Sequence, residues 1–194
     1  MTGHTSQKKY VERAQCMLDI FMTHGGDCKT PTELIDGATY PVPLKALLQV
    51  CKEWHTLPAS EHYEVFGLNM FQDGHFLNKM DILAGGDEET MDEWRSEHDQ
   101  PNCAQDGWEC FAALSEFDYL FVNVDPTSTY FGSTRRVVNN CFEDEPMTDT
   151  FDEFFGRLEA FSRQWNECME TCVWEDDYCA KHEGLVYNVL FNQV

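Results

Sequence analysis

The stretch "DYLFVNVDPTSTYFGSTRRVVNN", residues 118–140, is the most informative about the fold, because two apolar runs flank a loop of turn-forming residues. The runs "YLFVNV" at 119–124 and "RRVVNN" at 135–140 contain the β-branched and aromatic residues that favour strands. An Asp-Pro dipeptide, followed by small polar residues and a glycine, has the composition of a connection between strands. The stretch therefore predicts two strands of one sheet, and the Asp-Pro turn ends the first of them.

The loop within this stretch could instead be a phosphate-binding loop. A Walker A motif needs two spaced glycines and a lysine, and a dinucleotide fingerprint needs three glycines, whereas this loop has one glycine and no lysine. The sequence therefore favours a plain connection, whose tip at residues 127–133 is the part that would bind a partner. Successive strand residues point to opposite faces, so Arg135 and Arg136 cannot share one site, and we expect both to pair with carboxylates.

Working outward, the spacing of apolar residues divides the chain into helical and extended segments. Helices are predicted at residues 8–24, 43–54 and 87–99 and from Thr150 onward. Strands are predicted at residues 63–68, 108–114, 119–124, 135–140 and 185–191. This order predicts an α+β fold: a single domain with a mostly antiparallel sheet of about four to six strands packed against helices.

The helix that begins near Thr150 is the longest predicted element. Thr150 and Glu153 have the spacing of a capping box, in which the two side chains satisfy free backbone N–H groups. The following apolar residues lie along one side of the helix and predict its buried face. They are Phe151, Phe154, Phe155, Leu158, Phe161, Trp165, Met169 and Cys172.

The charge of the chain limits the partners it can bind. The 194 residues carry 13 basic and 35 acidic side chains, a net charge of -22. This balance argues against binding to nucleic-acid backbones or to anionic membrane surfaces, both of which need a basic face. The balance fits a positively charged partner, and it equally fits a well-solvated acidic surface that binds nothing.

The ends of the chain and its cysteines indicate a compartment. The first residues, "MTGHTSQKKY", are polar and lack the apolar segment of a signal peptide, and no apolar run approaches the roughly 20 residues of a membrane helix. The nine cysteines have no tight, repeated spacing. We therefore expect reduced thiols and a cytoplasmic protein.

Four segments follow one another in a recognisable order: "YPVPLKALLQVCKEWHTL" (40–57), "YEVFGL" (63–68), "FDYLFVNVDP" (117–126) and "TDTFDEFFGRLEAF" (148–161). The order resembles the SUKH superfamily of bacterial immunity proteins and fungal Smi–Knr-type cell-wall-assembly regulators. It predicts a SUKH-like α+β domain at residues 40–163, with an N-terminal helical extension at 1–39. Residues 164–194, the end of the long helix plus a strand, would form a C-terminal extension packed on the same domain.

The chain departs from the family pattern at two places. Residues 52–55, "KEWH", stand where the family has an Asn-Gly turn, and Phe117-Asp118 replaces a Gly-Asp pair. The resemblance implies a protein-binding module rather than an enzyme, without a cofactor. The expected function is that of an immunity-like protein that binds and occludes a basic protein partner such as a nuclease toxin. A structural or adaptor subunit of a larger assembly is the alternative.

Acidic clusters and one tryptophan are the candidate partner-binding residues. None of the clusters matches a calcium-binding loop, and a steered encounter with a basic partner is the function they would serve. The predicted acidic helix and a predicted loop at residues 143–145 carry most of them, and the tryptophan is a candidate anchor. The residues are Asp87, Glu88, Glu89, Asp92, Glu93, Glu143, Asp144, Glu145 and Trp174.

The C-terminal segment contains the soft ligands of a possible zinc site, Cys168, Cys172, Cys179 and His182. Cys168 and Cys172 also lie on or beside the apolar stripe of the long helix, where a thiol behaves as a small hydrophobic side chain. Buried thiols are therefore the favoured interpretation, with zinc or disulfides as alternatives. Nucleophilic catalysis is not predicted, because the chain has no G-x-S-x-G motif and its cysteines and histidines form no recognisable pattern.

Overall fold

The architecture comes from a computed structural model of the chain. It describes residues 3–29, 40–50, 53–57, 69–70, 107–114, 118–138, 143–171 and 178–192. The strand predicted at 63–68 and the acidic helix predicted at 87–99 lie outside the described residues.

The described helices form one layer, and the last continues directly into a short π-helix. They are α1 (Gly3–Thr23), α2 (Val42–Val50), α3 (Phe151–Thr171) and α4 (Tyr178–Leu185), and the π-helix spans Val186–Leu190. Helix α1 packs against α2 and α3, and α3 also packs against α4 and the π-helix. Helix α3 is therefore the centre of the layer.

The described strands form an antiparallel meander in which each strand pairs with the next along the chain. They are β1 (Asp27–Lys29), β2 (Glu53–His55), β3 (Asn69–Met70), β4 (Trp108–Ala113), β5 (Asp118–Asn123), β6 (Thr134–Val138) and β7 (Glu143–Thr148). Strands β4 to β7 form the long ladders, and β1 to β3 are short. The predicted α+β fold is confirmed, and so are the strands predicted at 108–114 and 119–124 and the described part, up to Val138, of the strand predicted at 135–140.

The core lies between α3 and one face of the sheet. A bulge between Cys110 and Ala112 leaves Phe111 without a partner residue on β5. The ring of Phe111 packs edge-on against Phe151 at 5.3 Å and against Phe154 at 5.1 Å. The bulge thus turns an extra aromatic ring towards the helix, which is a known use of such irregularities. The predicted apolar stripe of α3 is buried from Phe151 to Met169, as the sequence predicts; Cys172 lies outside the described residues.

The strand predicted at 185–191 is wrong, because these residues are helical. Residues Val186 and Leu190 are separated by one helical turn, and both are completely buried in the core that contains α3. The β-branched and aromatic residues here suggested a strand, but β-propensity is a weak preference that packing overrides. The apolar period of about four residues, rather than two, is the signal that the prediction missed.

Two boundaries also differ from the predictions. The second helix ends at Val50 rather than at residue 54, because Glu53–His55 pairs with β1. Residues 143–145 belong to β7 rather than to a loop. The sequence "EDEPMT" lacks the usual pattern of a strand, because its charges and proline are typical only of a strand at the edge of a sheet. β7 is indeed the last strand in the described order.

The cysteines are not all reduced. Cys28 in β1 is disulfide-bonded, which contradicts the expectation of free thiols at this position. Cys16, Cys110 and Cys168 are thiols. The disulfide could not be predicted from the cysteine pattern, because the cysteines have no tight, repeated spacing.

The cap of α3 yields a first prediction. The Thr150 hydroxyl accepts a hydrogen bond of 3.2 Å from the Glu153 backbone N–H, whereas the Glu153 carboxylate pairs with Arg157 at 2.6 Å. Replacing Thr150 by alanine should therefore lower the free energy of unfolding by about 1 kcal/mol, since one N–H loses its acceptor. Denaturant titration measures the change.

The control for this variant is Glu167→Ala, which alters an exposed position towards the C-terminal end of the same helix. It should change the free energy of unfolding by less than about 0.5 kcal/mol. Equal effects of the two substitutions would show that the hydroxyl does not cap the helix.

Candidate functional site

The connection between β5 and β6 is held by hydrogen bonds of its own side chains. The Asp125 carboxylate accepts hydrogen bonds from the backbone N–H and from the hydroxyl of Thr127, each 2.8 Å long. These bonds hold the pKa of Asp125 below its usual value, the backbone bond contributing most. The predicted turn is therefore an Asx turn, in which the aspartate side chain replaces a backbone acceptor.

Side-chain hydrogen bonds also hold the second half of the loop. The Ser128 hydroxyl oxygen accepts a hydrogen bond of 3.1 Å from the Tyr130 N–H, and the Ser133 hydroxyl donates one to the Tyr130 carbonyl. The Gly132 N–H donates to the Asn123 carbonyl at 2.8 Å, which returns the chain to the sheet. The loop thus has a defined shape that does not depend on a ligand.

Gly132 brings this loop against the helical layer. Its φ is 83°, a left-handed conformation that favours glycine. A Cβ atom at this position would lie 3.6 Å from Pro41 Cγ and 3.7 Å from the Phe151 backbone nitrogen. The loop therefore lies beside the residues where α2 and α3 begin.

Two aromatic residues and a valine are exposed at this junction. Tyr130 and Phe131 at the loop tip are 37% and 39% exposed, and Val42 at the start of α2 is 42% exposed. Phe131 precedes Gly132 and Val42 follows Pro41, so these side chains come from backbone segments that touch. We call Val42, Tyr130 and Phe131 the tip patch.

The two arginines of β6 lie on opposite faces of the sheet, as predicted. Arg136 is buried and forms a forked interaction with Asp118: its Nε lies 2.9 and 3.1 Å from the two carboxylate oxygens, and its Nη2 lies 2.6 Å from one of them. Burial disfavours the charged guanidinium, but the hydrogen bonds and attraction of Asp118 outweigh it and raise the pKa of Arg136. Arg136 is thus permanently charged and engaged within the fold.

The C-terminal helices cover this ion pair. The Arg136 guanidinium carbon lies 5.3 Å from the ring centre of Tyr187 and 4.6 Å from that of Phe191. Cation–π contacts of this kind stabilise a desolvated arginine. Arg136 therefore joins the C-terminal segment to the sheet.

Arg135 lies on the other face, over the indole of Trp108. The distance from its guanidinium carbon to the ring centre is 5.8 Å. The same indole lies 6.5 Å from the ring of Tyr130. The three side chains form a stack that connects β6, β4 and the loop tip, so the contact with Trp108 restrains the position of the Tyr130 ring.

Most of the predicted partner-binding residues cannot be placed. Asp87, Glu88, Glu89, Asp92, Glu93 and Trp174 lie outside the described residues. The backbone of Glu143 and Asp144 forms the start of β7, and their side chains are not described. Glu145 is exposed on the same strand, with a carboxylate oxygen 4.0 Å from Arg136 Nη1.

The predicted metal ligands are only partly described. His182 is fully buried, its Nε2 lies 2.8 Å from the Thr56 hydroxyl oxygen, and its ring packs edge-on against Phe161 and Trp165. Cys168 is half-buried near the end of α3. The side chains of Cys172 and Cys179 lie outside the described residues, and within the described part of the chain no three His, Cys, Asp or Glu residues are grouped as metal ligands.

Thiol chemistry is disfavoured at the one buried thiol whose pKa shifts. Burial raises the pKa of Cys110 to about 12, although a hydrogen bond with the Ala112 backbone acts in the opposite direction. A thiolate, rather than a thiol, is the nucleophile in cysteine catalysis. Cys110 is therefore a core residue and unsuited to catalysis.

Comparisons with known proteins do not identify a family for this chain. No protein-family model matches the chain, and no curated protein or solved structure is significantly similar to it. A membrane-crossing helix, long and apolar, is not found in the described part of the chain.

Helix α1 is joined to α3 beside the core by two polar side-chain contacts, which we call the clasp. The Tyr10 hydroxyl donates a hydrogen bond to the Asp152 carboxylate, and Arg13 pairs with Glu159 through Nη2 at 2.8 Å. The hydrogen bond to Asp152, followed by burial, raises the pKa of Tyr10. The hydrogen bonds from Arg13 lower the pKa of Glu159. These partners fix how α1 lies on α3.

The buried ion pair yields a second prediction. Replacing Arg136 by methionine should lower the free energy of unfolding by about 3–5 kcal/mol, because Asp118 would remain buried without its counter-charge. The double variant D118L/R136M should recover part of this loss, since it removes both charges. Denaturant titration of both variants measures the coupling.

Arg163→Met is the matched control, because Arg163 is mostly exposed and lies 3.8 Å from Glu159. This surface pair should contribute less than about 1 kcal/mol. If R136M cost no more than R163M, the buried pair would not be what holds the C-terminal segment.

The clasp yields a prediction about pH. The folded-state pKa of Glu159 is lower than its unfolded value of about 4.3, so its stabilising effect is complete above that pH and is lost as the pH falls through the folded pKa. The variant E159Q should therefore be less stable than the wild type at neutral pH, by up to about 1 kcal/mol. The difference should shrink in acid. Thermal unfolding at several pH values would contradict this if the difference stayed constant.

Proposed function

We propose that this chain is a non-enzymatic protein-binding module that binds and occludes a basic protein partner, in the manner of an immunity protein. The observation that carries the proposal is the excess of 35 acidic over 13 basic side chains. Arg13, Arg136 and Arg157 each pair with a carboxylate of the same chain, which uses up part of the small positive charge. The remaining field attracts a basic partner and accelerates its encounter.

The described surface carries many exposed carboxylates, some of which are also paired within the chain. Their distribution over both helices and strands produces a broad negative field rather than a single acidic site. The exposed acidic residues are Glu12, Asp19, Asp27, Glu145, Asp149, Asp152, Glu153, Glu167, Glu170 and Glu183.

The interior supports a binding module more than an enzyme. Among the buried ionisable residues that are described, Asp118 pairs with Arg136, and His182 contacts the Thr56 hydroxyl. Their contacts join strands to the C-terminal helices, which is a structural role. The motif order that resembles the SUKH superfamily adds support for a binding function, because that superfamily consists mostly of binding modules.

Co-purification with the tagged protein and mass spectrometry test this function. We expect a basic protein that is retained at low salt and lost as salt rises from roughly 50 mM to 500 mM, since screening weakens attraction between exposed charges. Recovery of no stable partner, or of one that is acidic and insensitive to salt, would contradict the proposal. Sedimentation as an obligate large assembly would favour the structural or adaptor subunit instead.

Two triple variants separate a local from a general charge effect. The variant E143Q/D144N/E145Q neutralises three charges on β7, and E12Q/E167Q/E183Q neutralises three charges on helices. Both have the same net charge. A larger loss of affinity for the captured partner in the first variant would indicate that β7 contacts the partner directly.

A further inference from the structure

We propose that the tip patch is the apolar centre of the interface, and that it receives an apolar side chain flanked by lysine or arginine on the partner protein. The inference rests on the proposed function, since it names the surface through which the basic partner is held. It concerns Val42, Tyr130 and Phe131, together with the carboxylates around them.

The first argument is the concentration of exposed apolar side chains. Of the large hydrophobic residues that are described, Met22, Val42, Tyr130 and Phe131 are the exposed ones. Tyr130 and Phe131 are consecutive at the loop tip, and Val42 follows Pro41, whose side chain lies beside Gly132. Single exposed apolar residues are common, but a group of them marks an interaction surface. Tyrosine and other aromatic residues are also the side chains that most often dominate the energy of an interface.

The second argument is that the patch is held in shape before any partner binds. The turns at Asp125 and Ser128 fix the loop, and the indole of Trp108 supports the Tyr130 ring. A surface that is ordered in advance loses little conformational entropy on association. The loop therefore has the rigidity that an anchoring site requires.

The third argument is the charge around the patch. Asp149 is exposed just before α3, and Asp152 is exposed in its first turn, next to the Phe151 nitrogen that lies beside Gly132. Glu153 is also exposed in this turn, but it pairs with Arg157. An apolar centre with a charged rim is the usual organisation of a protein interface. A rim of carboxylates selects a partner whose own rim carries lysine or arginine.

The same charges argue against other occupants. A second copy of the chain would bring an equally acidic rim against this one, and like charges facing each other are costly. An anionic membrane or a nucleic acid would be repelled for the same reason. A basic protein surface with an apolar side chain at its centre is the occupant that satisfies both parts of the patch.

Two synthetic peptides test the proposal. They are short, rich in lysine and equal in length and charge, but one contains leucine and tryptophan where the other contains serine. We expect the wild type to bind the apolar peptide about tenfold more tightly than the serine peptide, as two buried anchor residues would produce. The variant Y130S/F131S should lose this preference and keep a weak, salt-sensitive affinity for both peptides. Fluorescence anisotropy measures each dissociation constant.

The controls use exposed apolar residues inside and outside the patch. Met22→Ser, in α1 and outside the tip patch, should keep the full preference. Val42→Ser should reduce it by about threefold, and it tests the patch without changing the loop. The turn bonds of the loop involve the backbone of residues 130 and 131, so Y130S/F131S should keep these turns and remain folded. Loss of the contact between Tyr130 and Trp108 should lower the melting temperature by only a few degrees.

The outcomes distinguish this inference from the proposed function. Salt-sensitive binding of both peptides with equal affinity would overturn the tip patch and leave the acidic binding module standing. A preference that survives in Y130S/F131S, or that Met22→Ser abolishes, would also overturn it. Failure to bind either peptide at low salt would contradict the proposed function itself. Binding to phosphatidylglycerol vesicles that depends on Tyr130 and Phe131 would assign the patch to a membrane instead.

Discussion

The burial of one face of α3 is the constraint on which the rest of the fold depends. The helix places large side chains from Phe151 to Met169 along a single stripe, and each contributes about 1.5–3 kcal/mol when removed from water. A stripe of this width cannot be covered by the sheet alone. Helix α1, helix α2 and the C-terminal helices cover the remaining sides, so the segments at both ends of the chain are parts of one core with the meander.

The ion pair between Asp118 and Arg136 has a different role. Hydrophobic residues of the same shape would stabilise such a site as well or better, so the pair is better understood as fixing position than as adding stability. It joins β5, β6 and the C-terminal segment through one guanidinium group. The same two strands hold the loop that carries Tyr130 and Phe131, so the pair also supports the surface proposed to meet a partner.

Sequence patterns predicted the parts of the fold that depend on neighbouring residues. The strands at 108–114 and 119–124, the stripe of α3 and the opposite directions of Arg135 and Arg136 all follow from short-range periodicity. The helix at 186–190, the strand β7 and the disulfide at Cys28 depend on distant contacts, which a local pattern does not contain. The tip patch could be predicted from the sequence only in part. The loop tip at 127–133 was a candidate for partner binding, but its proximity to α2 depends on the backbone conformation at Gly132.

Strand β7 also determines how copies of this protein behave towards one another. An edge strand offers free backbone groups to which another sheet could add. In β7 the acidic residues at 143–145 repel a second copy, and Pro146 cannot donate a backbone hydrogen bond. The repulsion disappears when the carboxylates are protonated, whereas the proline remains. Charge and proline therefore oppose edge-to-edge pairing of this strand by two independent means.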